Sequence, residues 1–182
     1  MGWYADWVTT SPLLSAFAQF ALLGTAGELA GIAAAGSRPR AGGRAWLEWI
    51  AKAAAWGCLG VLVKCAFAGF KGFLAELVAD GFLPAACVEV AVLKAACLSI
   101  LTNAMFGPLL MFLHRSSDNL ITGARGYAGI EKSLATLAWF WIPAHAVTFA
   151  LPKPFQIGLA ALWSVALGLI MGLTKRPRPA KQ

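Results

Sequence analysis

Residues 12–36 read "PLLSAFAQFALLGTAGELAGIAAAG", and this stretch decides the fold. Its residues are almost all apolar or small, and about 20 such residues are enough for a helix to cross a membrane. Glu28 is the single charged residue in the stretch. The carboxylate of Glu28 has three possible explanations. It is a functional group, it is one half of a structural ion pair, or the stretch lies outside a membrane. The composition of the whole chain excludes the last of these.

The composition is that of a membrane protein. Of the 182 residues, 59% are hydrophobic and only 13% are charged, and the mean hydropathy is +0.70. Soluble domains carry about 25% charged residues, and this chain has too little polar surface to enclose its apolar side chains in water. No segment is long and polar enough for a second domain. We therefore predict one transmembrane domain over 1–182, with a basic cytoplasmic tail at 175–182.

The apolar runs predict an all-α, polytopic transmembrane helical bundle of about five spans. The fourth run contains Pro143 and is expected to be kinked or tilted. The predicted spans are 12–36, 47–70, 85–113, 133–151 and 154–174.

The basic residues predict the orientation. Ten of them lie in the segments 37–46 and 114–132 and in the tail, whereas the other side carries only Lys71 and Lys153. By the positive-inside rule the N-terminus is outside and the C-terminus is in the cytoplasm, which requires an odd number of spans. The net charge of +7 then reflects topology, and nucleic acid is not a predicted partner. The predicted partners are membrane lipids, with anionic lipid at the tail, and a further copy of the chain in a homo-oligomer.

Polar residues at membrane depth are the candidate site. A charged side chain at the bilayer centre costs at least ~2.5 kcal/mol, and the predicted depths of Glu28 and Lys94 differ by only about 4 Å. We expect Glu28, Lys94 and Asn103 to face a common interior, either as a paired network that fixes helix packing or as the lining of a polar path. Lys64 and Glu89 are expected near the outer mouth. Lys52, about 8 Å from the cytoplasmic face, can extend its amine to water.

The two histidines predict no cofactor site. His114 lies at the cytoplasmic end of the third span, and His145 lies about 18 Å away in depth, so one haem iron cannot bind both. No second group of ligating residues favours a metal. His145 is expected to line the interior or to form a hydrogen bond between helices. His114, with Arg115 and Asp118, is interpreted as an interfacial polar cluster.

Glycine, proline and cysteine add packing predictions. Glycines in the first two spans provide small faces for close helix approach, and Pro108 and Pro143 are expected to kink their helices and free carbonyl groups. The four cysteines form no CxxC pair and are interpreted as packing thiols. No GxSxG, HExxH or P-loop pattern is present, and the carboxylates are scattered, so we predict that the chain is not an enzyme.

Two stretches resemble a known family. "TNAMFGP" (102–108) and "WFWIPAHAVTFALPKPF" (139–155) are similar to motifs of the Mpv family, which is grouped with the twenty-two-kilodalton peroxisomal membrane protein. Pro108, Pro143 and Pro152 occupy the proline positions of these motifs. Thr102-Asn103 replaces the Asp-Gln pair of the family. The resemblance covers about the last half of the chain. It implies a small helical-bundle membrane protein of channel-like type.

The sequence thus predicts a weakly selective channel or pore for small solutes or ions. Glu28, Lys94, Asn103 and His145 would line its interior, and selectivity would follow from the charge and width of that lining. The alternative is a structural or accessory subunit of a larger membrane complex. Without a targeting peptide, the bacterial cytoplasmic membrane is the predicted location, and an organelle membrane is the alternative.

Overall fold

The fold is entirely helical where it is described. A computed structural model of the chain describes residues 2–39 and 42–174, and these contain no strand. The basic tail at 175–182 lies outside the described residues. The α-helices are α1 (Trp3–Thr10), α2 (Pro12–Ala34), α3 (Ala45–Ala79), α4 (Ala86–Glu89), α5 (Ala91–Leu101), α6 (Gly107–Thr122), α7 (Ile130–Thr136), α8 (Ile142–Ala150) and α9 (Lys153–Thr174). Two π-helical turns, π1 (Thr102–Phe106) and π2 (Leu137–Trp141), join α5 to α6 and α7 to α8.

Five helical stretches of the described chain are long and apolar enough to cross a membrane. Only 28–33% of the residues in their apolar windows are buried inside the bundle. Most of the remaining apolar side chains therefore point outwards, where hydrocarbon solvates them and water does not. The chain is an integral membrane protein, and the predicted all-α bundle of five spans is confirmed. The spans are Pro12–Ala34, Ala45–Ala79, Ala91–Thr122, Ile130–Ala150 and Lys153–Leu173.

Several boundaries differ from the prediction. Helix α3 continues beyond the expected end at 70 to Ala79, because hydropathy marks the apolar part of a helix and not its end. The third span starts at Ala91 and not at 85, because Val90 is extended (φ −90°, ψ 114°) and separates it from the short α4. It ends at Thr122, where Gly123 takes a left-handed conformation (φ 71°). Helix α1 was not predicted.

Helix α2 packs between α3 and α9. Gly27 and Gly31, the "GELAG" pair, face the backbone of α9, where a Cβ atom at Gly27 would lie 2.6 Å from the carbonyl oxygen of Ser164. On the side of α2 that faces α3, the ring of Phe17 packs against Gly57. The predicted close approach at glycines is confirmed. The second layer pairs α5 with α8 and α6 with α3.

The two ends of the bundle differ. The amino-terminal end comprises α1 and the segments 80–90 and 151–152, and the carboxy-terminal end comprises the segment between α2 and α3 and the segment 123–129. The half near the amino-terminal end is densely packed, with Phe67, Leu74 and Phe149 buried. Helix α1 attaches there through Tyr4, whose hydroxyl donates to Oε1 of Gln19 at 2.7 Å. Burial raises the pKa of Tyr4 above its usual value. The ion pairs recorded among the described residues lie in the other half.

Candidate functional site

Five polar and aromatic side chains meet near the carboxy-terminal end. This inner polar cluster consists of Glu28, Lys52, Trp56, His114 and Asp118. The Nζ atom of Lys52 lies 2.6 Å from Oε2 of Glu28 and 2.8 Å from Oδ1 of Asp118. Nε1 of Trp56 donates to Oε1 of Glu28 at 2.8 Å. Both oxygens of the Glu28 carboxylate are thus held by α3.

Helical spacing explains how the cluster forms. Lys52 and Trp56 are four residues apart on α3, and His114 and Asp118 are four residues apart on α6, so each pair lies on one helix face. The His114 ring packs on Trp56 with ring centroids 4.5 Å apart. Its Nε2 atom is 3.9 Å from Oε1 of Glu28. The cluster therefore links α2, α3 and α6.

The cluster is an ion-pair network in a partly dry environment. The side chains of Glu28 and Lys52 are 19% and 17% exposed, and that of Asp118 is 32% exposed. Charge-assisted hydrogen bonds at this burial are stronger than those at a fully hydrated surface. One ammonium group faces two carboxylates, so these three groups together carry one excess negative charge.

The expectation that Glu28 and Lys94 share an interior is wrong. Lys94 is exposed on α5. Ala95, Leu98 and Thr102 occupy the face that turns into the bundle, and Lys94 lies beside this face. Predicted depth fixes height in the membrane but not the direction around the helix axis. The partner of Glu28 is Lys52, whose predicted depth matched equally well.

Asn103 and His145, by contrast, do meet in the interior. Both are buried, and the carboxamide of Asn103 lies within 3.1–3.2 Å of Nδ1 of His145. Asn103 also donates through Nδ2 to the carbonyl oxygen of Ser99 at 2.8 Å. The Ser99 hydroxyl donates to the carbonyl oxygen of Ile142, next to Pro143, at 2.6 Å. The expectation that His145 forms a hydrogen bond between helices is confirmed.

A π-helical turn precedes each of the two prolines that were expected to kink a helix. Turn π1 ends two residues before Pro108, and π2 ends two residues before Pro143. A proline removes one amide donor and crowds the preceding turn, and a wider turn relieves both problems. The two π-helical turns contact each other. Turns of this kind are frequent at functional sites.

A central cavity of about 170 Å³ lies between the π-helical turns and α3. Thr102, Asn103, Trp141 and His145 are among its lining residues. Within the described part of the chain, Oγ1 of Thr102 and Nε1 of Trp141 are buried and have no hydrogen-bond partner. The lining is otherwise mostly apolar, and it includes the ring of Phe67.

A second, wider cavity of about 480 Å³ adjoins the central cavity. Glu28 and Lys52 line it, and this entrance cavity includes residues of the carboxy-terminal end such as Ser37. The two cavities share several lining residues, among them Trp56 and His114. The two cavities therefore adjoin each other between the inner polar cluster and His145. Phe67, which lines the central cavity, packs against His145 and Phe149 with ring centroids 5.4 Å and 4.6 Å away.

The remaining predicted residues lie elsewhere. Lys64 is half-buried on α3, and Glu89 is exposed at the end of α4. Neither lines the two cavities. Sequence reasoning missed Lys52, Trp56 and Asp118 as members of the site. The four-residue spacing of each pair, with matched depths for Glu28 and Lys52, was the signal that could have identified them.

No metal site or relative adds to this description. Within residues 2–39 and 42–174, no group of three or more His, Cys, Asp or Glu side chains is arranged to hold a metal ion. Comparison of the chain with family models, curated proteins and solved structures gave no match. The resemblance to the Mpv family therefore stays a prediction from the motifs.

Proposed function

We propose that this protein is a non-enzymatic pathway for small, uncharged polar solutes across its membrane. The observation that carries the proposal is the pair of adjoining cavities, the entrance cavity and the central cavity, which share lining residues. Sites of this kind, largely apolar with a few convergent polar groups, are typical of small-molecule binding. The resemblance to the Mpv family, which implies a channel-like protein, supports the same function.

The lining of the central cavity favours uncharged solutes over ions. Among the described residues that line it there is no Asp, Glu, Lys or Arg. An ion entering such a space would lose its hydration without gaining a counter-charge, and apolar constrictions exclude ions by dewetting. The hydroxyl of Thr102 and the indole N–H of Trp141 could instead bond a neutral polar molecule.

The size of the central cavity limits the solute. Cavities of about 150 Å³ hold a molecule as large as benzene, so the 170 Å³ here accommodates about six heavy atoms. Glycerol and urea fit this limit and carry both donors and acceptors. The closed contact of Phe67 with Phe149 must open during passage. Helices interrupted by π-helical turns and prolines are suited to that movement.

A conservative substitution in the cavity wall tests the proposal. Thr102→Val keeps the shape of the side chain and removes a hydroxyl that has no partner among the described residues, so folding is expected to be unaffected. Uptake of glycerol and urea into proteoliposomes should fall about fivefold, the equivalent of one net hydrogen bond of about 1 kcal/mol. Light scattering after an osmotic step measures this uptake.

Thr25→Val is the matched control. The Thr25 hydroxyl is also buried without a partner in the described residues, but Thr25 lines neither cavity. Proteoliposomes with the Thr25→Val variant should take up glycerol and urea as fast as those with the unmodified protein. Absence of any glycerol or urea uptake above that of empty liposomes would overturn the proposal and favour the accessory-subunit alternative. Ion flux faster than solute flux would overturn the preference for uncharged molecules.

A further inference from the structure

Three lysines lie toward the opposite end of the bundle, and a fourth lies about two helical turns deeper on α3. None of the four lines either cavity. This lysine patch consists of Lys64 and Lys71 on α3, Lys94 on α5 and Lys153 at the start of α9. Lys71 lies close enough to the other three for their charges to repel it, and Lys64 is likewise repelled by Lys153. The two lysines of α3 are seven residues apart, which places them on one face of the helix.

Gln156 holds the centre of the patch in place. Its side chain is buried, and its Nε2 atom donates to the carbonyl oxygen of Leu151 at 2.9 Å. The Oε1 atom of Gln156 then accepts a hydrogen bond from Nζ of Lys71 at 2.7 Å. Lys153 lies one helical turn before Gln156 on α9. An ammonium group has three donors, so Lys71 retains two for another acceptor.

No carboxylate neutralises the patch within the described residues. None of the ion pairs recorded among the described residues includes one of these four lysines. Four carboxylates lie toward this end of the bundle, but they are exposed and form no recorded ion pair with the four lysines; they are Asp6, Glu76, Asp80 and Glu89. A cluster of like charges of this kind attracts a counter-ion of opposite sign.

The position of the patch favours a lipid as the source of that anion. Helix α1 lies at the same end with Trp3, Tyr4 and Trp7, and such aromatic residues mark the headgroup layer. The Tyr4 ring stacks on Phe155, two residues after Lys153, with centroids 5.8 Å apart. Lys64 precedes Lys71 on α3 and lies about 10 Å deeper in the bundle, and its long side chain can extend toward the same layer.

We propose that the lysine patch binds the phosphate group of an anionic phospholipid. Lys71 and Lys153 contact the phosphate, while Lys64 and Lys94 approach it from the two sides. The acyl chains lie against the exposed apolar side chains of the spans. This site is distinct from the anionic-lipid site predicted for the basic tail, because it lies at the end of the bundle opposite to Thr174, the last described residue. It does not depend on the proposed solute pathway.

Photocrosslinking of the full-length protein in vesicles tests this site. The probe is phosphatidylglycerol with a photoreactive group near its phosphate, and the crosslinked peptides are mapped by mass spectrometry. Crosslinks are expected in the segments 60–75 and 150–157. In the double variant Lys71→Gln/Lys153→Gln, the probe concentration for half-maximal crosslinking should rise about thirtyfold, because each lysine near an anionic lipid contributes about a fivefold factor.

Two controls keep the proposal falsifiable. Arg125→Gln/Lys132→Gln removes two exposed basic residues near the carboxy-terminal end and should leave the crosslinks at 60–75 and 150–157 unchanged. Equal crosslinking by a phosphatidylcholine probe of the same design would overturn the preference for an anionic headgroup. Loss of the crosslinks in excess inorganic phosphate would overturn the lipid as the source and assign a soluble anion to the patch.

Discussion

At the scale of single residues, Lys52 is the side chain on which the inner polar cluster depends. Its ammonium group lies within 2.8 Å of two carboxylates that come from different helices. A buried ion pair adds little stability relative to well-packed apolar residues, but the loss of one partner leaves the other charge without compensation. In this cluster, removal of Lys52 would leave two like charges next to each other.

Lys52→Met should therefore destabilise the protein by roughly 3 kcal/mol, the lower end of the range for a broken buried ion pair. The measurement is the free energy of unfolding by denaturant titration in detergent micelles. Lys52→Arg keeps the charge and should retain most of the stability. Lys132 is exposed, so Lys132→Met should have little effect. Equal stability of the two methionine variants would contradict this view of the cluster.

At the scale of secondary-structure elements, the crossing of α2 and α9 shapes the bundle. Gly27 of α2 faces Ser164 and Gly168 of α9, and a Cβ atom at Gly168 would overlap the backbone of Gly27. A backbone atom cannot move aside as the end of a flexible side chain can. The two helices can approach this closely only because both have glycine at the crossing.

Gly168→Ala is expected to separate α2 from α9 and to cost about 3 kcal/mol, as severe overpacking does. Gly69→Ala is the matched control, because a Cβ atom at Gly69 on α3 would meet nothing within 4 Å. Alanine is the better helix former, so this variant should be unchanged or more stable by up to about 1 kcal/mol. The midpoint of thermal unfolding in detergent compares the two. A stable Gly168→Ala protein would show that the crossing is not closely packed.

The two π-helical turns are a further feature at this scale. Each turn lies immediately before the helix that carries a proline. Residues of both turns, namely Thr102, Asn103 and Trp141, line the central cavity. The prolines themselves predict only that two helices are distorted. The meeting of the two distortions follows from the packing of α5 beside α8.

At the scale of the whole molecule, the apolar outer surface and the five spans determine how the protein sits in a membrane. Because α3 crosses the membrane once, the segment after α2 and the segment after α3 lie on opposite sides. Ser37 lies in the first of these segments and Phe82 in the second, and both are exposed. The distribution of basic residues predicts that Ser37 is on the cytoplasmic side.

Cysteine labelling checks this arrangement. In a variant without the four native cysteines, Ser37→Cys and Phe82→Cys are introduced one at a time into protein expressed in cells. A maleimide that does not cross membranes should label Phe82→Cys in intact cells and Ser37→Cys only after the membrane is opened. Labelling of both positions in intact cells would contradict a five-span topology.

The sequence alone determined the class of the protein, because the apolar content of each span and the scarcity of charge are properties of the chain itself. It also placed Asn103 and His145 in the interior, since both lie in the central parts of apolar runs and need partners there. Helix ends were less predictable. They depend on single backbone conformations, such as the extended Val90, which hydropathy does not record.

Only the tertiary structure decided which charged groups meet. Depth along a helix follows from residue number, and by depth Lys94 and Lys52 were equally suitable partners for Glu28. The rotation of each helix about its axis is set by the packing of all its neighbours, here by glycines that bring α2 against α9 and by buried side chains that orient α5. That rotation turns Lys52 toward Glu28 and leaves Lys94 exposed, because many small contacts along a whole helix outweigh the attraction of one ion pair.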